Sequence, residues 1–123
     1  MFTCRDSKPV DSSKLADREG LVYYNKSNTP FNGKGIKYWP TGEVQVKATF
    51  KDGILVQSLF LGMDGSLLES IEVIGDTTIS IEWFSNGEKK WESKTVLGNN
   101  IYINRWNEDG SKRGELFDWE KEV

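Results

Sequence analysis

Residues 38–53 read Tyr38-Trp39-Pro40-Thr41-Gly42-Glu43-Val44-Gln45-Val46-Lys47-Ala48-Thr49-Phe50-Lys51-Asp52-Gly53. Between the two glycines the apolar residues Val44, Val46, Ala48 and Phe50 alternate with Glu43, Gln45, Lys47, Thr49 and Lys51. A period of two marks a strand with one face against apolar neighbours and the other toward water. Pro40-Thr41-Gly42 and Asp52-Gly53 close the stretch with residues that supply the bends and positive φ angles of tight hairpins. The stretch is therefore one strand held between two turns.

The same pattern returns down the chain. Gly42, Gly65, Gly87 and Gly110 fall at intervals of 23, 22 and 23 residues, and Gly53, Gly75 and Gly98 run in step at intervals of 22 and 23. The first series lies in Asp64-Gly65, Asn86-Gly87 and Asp109-Gly110 besides Gly42; the second lies in Asp52-Gly53, Gly75-Asp76 and Gly98-Asn99. Ile79, Ile81 and Trp83 alternate with Thr78, Ser80 and Glu82, while residues 54–61 and 66–74 are apolar on both sides and predict strands covered on two faces. A parallel crossover needs a dozen or more residues, so such short connections allow only antiparallel neighbours. The expected fold is all-β: an antiparallel hairpin meander of tandem repeats in one twisted sheet. Residues 1–12, with Ser7, Lys8, Pro9, Asp11 and Ser12, read as a flexible leader, and 13–123 as a single repeat domain. The tail from Glu115 to Val123, with Leu116, Phe117 and Trp119, reads as a last strand in preference to a short capping helix.

Aligned on the first glycine, Tyr38-Trp39-Pro40-Thr41-Gly42-Glu43-Val44 and Trp83-Phe84-Ser85-Asn86-Gly87-Glu88-Lys89 share a paired aromatic, a turn and a glycine. With Lys51-Asp52-Gly53 as second turn, the unit resembles the MORN-variant repeat of bacterial proteins. The lead-in Glu19-Gly20-Leu21-Val22-Tyr23-Tyr24, followed by Thr29-Pro30-Phe31-Asn32-Gly33-Lys34-Gly35, is similar to the one that precedes such repeats. The likeness spans residues 15–114. Phe60-Leu61-Gly62-Met63-Asp64-Gly65 and Trp106-Asn107-Glu108-Asp109-Gly110 depart from it in carrying a longer turn, which predicts bulged or irregular pairing in those units. What the resemblance implies is an antitoxin-like protein-binding role. It brings no catalytic residue, and no glycine-rich phosphate loop of the kinases that related repeats accompany is present.

Composition narrows the chemistry further. The chain contains no histidine, which removes the commonest general base and zinc ligand. Sixteen basic against 19 acidic residues give a net charge of -3, so no polyanion is favoured as partner, and nucleic acid is not expected. No cofactor or metal is implied. The single cysteine, Cys4, forms no internal disulfide. It is either an idle thiol or the lipidation site of a bacterial lipoprotein, which would be the chain's one link to a membrane and would place it in the cell envelope instead of the cytoplasm. No apolar run approaches the ~18 residues of a membrane span, and Met1-Phe2-Thr3-Cys4-Arg5 lacks the apolar stretch of a signal peptide, so a soluble chain is expected.

Four residues before each first glycine stand Tyr38, Leu61, Trp83 and Trp106, and one residue later Trp39, Gly62, Phe84 and Asn107. Alternation puts the two sets on opposite faces. The first column serves either as core, the favoured reading, or as a binding groove; Tyr38, Trp39, Trp83, Phe84 and Trp106 are the candidate partner-binding residues. Glu69, Glu72, Glu82 and Glu92 alternate with apolar residues as solvated faces do, and no spacing marks two of them as facing. Lys89, Lys90 and Lys94 beside Trp91 resemble a nucleic-acid surface, but Glu88 and Glu92 cancel their field. The sequence thus predicts a repeat module that binds a protein or associates with itself, without catalysis; the alternative is an envelope lipoprotein with a structural role.

Overall fold

The computed structural model describes residues 8–113. Cys4 and the tail strand expected over residues 115–123 lie outside the described residues. In chain order the strands are β1 (Val10–Asp11), β2 (Leu15–Arg18), β3 (Leu21–Tyr24), β4 (Gly33–Tyr38), β5 (Val44–Lys51), β6 (Ile54–Leu61), β7 (Leu67–Ile74), β8 (Thr77–Trp83), β9 (Lys89–Val96) and β10 (Asn99–Arg105), with a 3-10 turn at Ser12–Lys14. Strands β4 to β10 form the expected antiparallel meander, β1 pairs in parallel with β4, and β2 with β3 makes a separate hairpin. The sheet is open, and among the described residues no α-helix lies on either face.

All four loops of the first glycine series have one geometry. In each, the residue three before the glycine donates its N–H to the carbonyl of the residue after it, and its own carbonyl accepts from the glycine N–H: Trp39 with Glu43 and Gly42, Gly62 with Ser66 and Gly65, Phe84 with Glu88 and Gly87, Asn107 with Ser111 and Gly110. The glycines have φ of 97, 86, 91 and 92°. These are three-residue loops closed by a left-handed glycine. The longer turns expected at Gly65 and Gly110 are absent, because Gly62 and Asn107 occupy the same backbone place as Trp39 and Phe84 and only their side chains differ.

Irregular pairing is real but regular in its placement. Lys37 pairs with Val46 and Tyr38 with Val44, leaving Gln45 unopposed; Leu68 and Lys90 are left over in the same way in the next two hairpins. Each stands three residues after its turn glycine. A second class of bulge explains the uneven spacing. The two 23-residue units each carry one more unopposed residue, Val56 and Ile101, whereas the β7–β8 ladder of the 22-residue unit is unbroken. The extra residue is absorbed locally, so the strands on either side stay in phase.

The second turn series is tighter. Asp52-Gly53 and Leu97-Gly98 have φ of 52 and 80°, and of 52 and 82°, as a two-residue turn with two left-handed positions requires. Asn99 is the Cα partner of Val96, so the last loop is Leu97-Gly98 and not Gly98-Asn99. The glycine takes the second place there, and a leucine that is 71% exposed is forced into the left-handed first place.

No side chain among the described residues is fully buried; besides the glycines Gly35 and Gly53, only Ile36, 8% exposed, and Ser93, 6% exposed, are buried at all. Strands β6 and β7, expected to be covered on two faces, are mostly half-buried, with Ile54, Gln57, Leu67, Glu72 and Ile74 exposed, since twist and side-chain neighbours shield them but no second layer of described residues does. Among the described residues, cover exists at one end only. The β2–β3 hairpin lies over β4 and β5, tied down by Val22 N–H to Gly53 O, Phe31 N–H to Val22 O and Gly53 N–H to Phe31 O, each 2.8 Å. Phe31 meets Phe50 edge to face at 5.9 Å. Gly35 makes this approach possible, because a β-carbon there would stand 2.8 Å from Leu15 Cδ1. A cavity of about 270 Å³ remains between Leu15, Ala16 and Val22 above and Gly35, Ala48 and Phe50 below.

Two stability measurements follow from the turns. Gly87→Ala, at φ 91° with open space around it, is expected to lose about 1–2 kcal/mol in urea unfolding, the cost of a left-handed side chain. Gly53→Ala must lose more, since its β-carbon would also meet Val22 O at 3.0 Å and Pro30 Cβ at 3.1 Å; equal losses would mean that the hairpin does not press on Gly53. Leu97→Asn should gain about 1 kcal/mol by relieving the left-handed leucine, and a neutral or destabilising result would show that its side chain is held by contacts.

Candidate functional site

The constant loops bring one residue from each of seven strands into a transverse row. Lys37, Val46, Phe60, Glu69, Glu82, Trp91 and Arg105 are successive Cα partners from β4 to β10, and all point to one face, here the front. These are the positions five before and four after each first glycine. A neighbouring row on the same face, Gly35, Ala48, Ser58, Ile71, Ser80, Ser93 and Ile103, is mostly small. Small side chains beside large ones leave concavities.

Two adjoining grooves occupy the front face beyond the reach of the β2–β3 hairpin. One, of about 430 Å³, lies between Phe60, Leu68, Glu69, Glu82, Trp83, Phe84 and Lys90; the other, of about 580 Å³, continues past Trp91 to Arg105, Trp106, Asn107, Glu108 and Arg113. Glu82, Phe84 and Lys90 belong to both. The bulges contribute directly: the unopposed Lys90 places its Nζ 5.6 Å from the centre of the Phe84 ring, and Leu68 fills the space that an aromatic would take at Gly62, its Cδ1 3.3 Å from a β-carbon built there.

Trp39 also faces front, but it is engaged. Its ring meets Phe60 edge to face at 6.1 Å, and its Nε1 donates to Leu61 O at 3.0 Å, tying one repeat to the next. Asn86 does the same one unit later, donating to Glu108 O at 3.0 Å. The loop acids cap their own turns: Asp64 accepts from the Ser66 hydroxyl and amide, and Asp109 from those of Ser111. The serine hydroxyls above all hold both carboxyls below the usual range.

Tyr38, Leu61, Trp83 and Trp106 each follow a member of the front row by one residue and therefore share the back face, as the sequence predicts. None of them is buried as a core residue would be: Tyr38 is 46% exposed and the other three are half-buried. Trp106 packs beside Lys89, whose Nζ lies 5.5 Å from the ring centre and 3.0 Å from Glu92 Oε1. Tyr102 Oη donates to Glu92 Oε2 at 2.9 Å. Burial opposes ionisation of Glu92, but the bonds from Lys89 and Tyr102 and the lysine's charge outweigh it and hold the carboxyl below its ordinary value.

No spacing in the letters marked two carboxylates as facing, yet the strand register brings one pair side by side. Glu69 and Glu82 are direct cross-strand partners on β7 and β8. Burial pushes the Glu69 carboxyl up, and the charge of Glu82 adds to the rise. Glu72 and Glu92 lie on the back. The lysines read together as one surface are divided: Lys90 reaches the front beside Trp91, while Lys89 and Lys94 pair with Trp83 and Ile79 on the back. Sequence reasoning missed Phe60 and the bulge column and weighed Trp91 only beside the lysines, although counting five before and four after each glycine would have found the row.

Compared with protein-family models, with curated proteins and with solved structures, the chain gives no match. The likeness to the MORN-variant repeat therefore stands on the residues alone.

Tyr102→Phe tests the back-face network. Because the folded value of Glu92 lies below its unfolded 4.5, its contribution to stability is complete above that value and is lost as pH falls through the folded one. Removing one donor should move the Glu92 titration upward and start the acid loss of stability at a higher pH, both followed by carboxyl ¹³C NMR. An unmoved titration would exclude the tyrosine as a cause.

Proposed function

We propose that this chain is a MORN-variant repeat module that docks a protein partner on its front face without catalysing a reaction, a toxin being the partner class that the resemblance implies. One observation carries the reading. The front face is covered by the β2–β3 hairpin over β4 and β5 and carries two adjoining aromatic grooves, without cover from any described residue, over β6 to β10. Rigid rings in a concave, partly desolvated patch are the usual anchors of protein interfaces. Phe84 and Trp91 are the residues suited to that task, because Trp39 is committed to the neighbouring repeat by its indole bond. The back-face aromatics fit a structural part, with Trp106 held against the Lys89 side chain.

The test separates the faces. A partner captured from the native host and identified by mass spectrometry should bind Phe84→Ala and Trp91→Ala at least ~30-fold more weakly, the loss of an anchor worth roughly 2 kcal/mol or more. Tyr38→Ala and Tyr102→Ala, on the back face and outside both grooves, should leave affinity within a few-fold, and circular dichroism should report an intact sheet throughout. Loss confined to the back-face variants would reverse the assignment.

A further inference from the structure

The middle of the front row sets two carboxylates side by side, neither of them in an ion pair. Phe60, Glu69, Glu82 and Trp91 stand on four neighbouring strands as direct Cα partners, so each lies roughly 4.8 Å from the next along the row. The order is ring, carboxylate, carboxylate, ring. Like charges directly opposite one another destabilise a strand pair, and no ion pair is seen at either carboxylate; the pair of Lys89 with Glu92 lies on the other face. Lys90 lines the same groove but lies over Phe84. The row's own cations, Lys37 and Arg105, stand at its two ends, their Cα atoms three strands from that of Glu69 and two from that of Glu82, or roughly 14 and 10 Å. Arg105 and Arg113 line the second groove with Glu82 but form no ion pair with it.

We infer that this row receives an arginine side chain of the docked partner, its guanidinium shared by Glu69 and Glu82 between the rings of Phe60 and Trp91. The inference rests on the docking role proposed above and names the chemistry of the partner. A planar guanidinium suits the place on two counts: it offers several donors in one plane to two carboxylates, and it stacks on aromatic faces. Its charge would also cancel the repulsion that the free protein carries, so the partner gains affinity from a penalty already present in the fold. A second copy of this chain is the wrong occupant, since two front faces meeting about a two-fold axis would bring four carboxylates together.

The probe is a short peptide, acetyl-Gly-Arg-Gly-amide, titrated into the ¹⁵N-labelled chain, with the citrulline peptide as its neutral near-isostere. The arginine peptide should move the indole N–H signal of Trp91 and the amides of Phe60, Glu69 and Glu82, and the citrulline peptide should not. Glu69→Gln with Glu82→Gln should weaken the response at least tenfold, whereas Glu72→Gln, on the back face, should leave it unchanged. The double variant should also unfold at a higher denaturant midpoint than the parent, as relief of the repulsion requires, which separates loss of the site from loss of the fold. Equal responses to both peptides, an undiminished response in the double variant, a lower midpoint, or a dimer by light scattering that the double variant strengthens would each overturn the inference. If a host partner needs Trp91 but binds the double glutamine variant with parental affinity, the docking face stands and the arginine anchor falls. If the peptide binds at the two glutamates while the host partner ignores every front-face variant, the reverse holds.

Discussion

A left-handed glycine closing a loop of fixed length sets the phase of the sheet, and with little buried apolar volume to correct a slip, that phase is what the structure depends on. In a half-buried sheet a shift of one residue sends every side chain to the opposite face. Here the same three-residue loop recurs at Gly42, Gly65, Gly87 and Gly110, each capped by the oxygen of the residue before it, at Thr41, Asp64, Asn86 and Asp109. A bulge follows three residues later in each complete hairpin. Where a unit is one residue longer, Val56 or Ile101 takes up the difference, and the front row continues unbroken from Lys37 to Arg105.

From this phase the two faces acquire separate tasks. On the back, Trp106, Lys89, Glu92 and Tyr102 form contacts that satisfy one another. On the front, the β2–β3 hairpin shields only the first two repeat strands, and that shield needs the missing side chain at Gly35 to come close enough. The remainder keeps its rings half-buried and two carboxylates side by side. Stability is sacrificed at Glu69 and Glu82, and nothing within the described fold recovers it.

Much of the architecture was legible in the letters. Glycine spacing gave the hairpins, alternation gave the strands, and the column Tyr38, Leu61, Trp83 and Trp106 shares a face as counted. What escaped has physical causes. Unopposed residues such as Lys90 have no signature in a two-residue period, so the side on which they emerge depends on pairing. The left-handed place of Leu97 was hidden because a leucine seldom adopts it, and Asn99 looked the better turn residue. The pairing of Glu69 with Glu82 was within reach, since a two-residue loop at Gly75-Asp76 sets 74 opposite 77 and therefore 69 opposite 82. Apolar strands such as β6 suggested two covering layers; the described residues supply a cover at one end alone.

The bulges at Val56 and Ile101 bear on how such a chain can change over generations. Because a unit of either length leaves its neighbours in step, duplication or loss of one unit would lengthen or shorten the sheet by two strand widths, roughly 10 Å, without disturbing those already in place. Unit copy number then acts as a ruler for the width of the front face. Selection could adjust reach and chemistry independently, the first by counting hairpins and the second by exchanging single letters along the row.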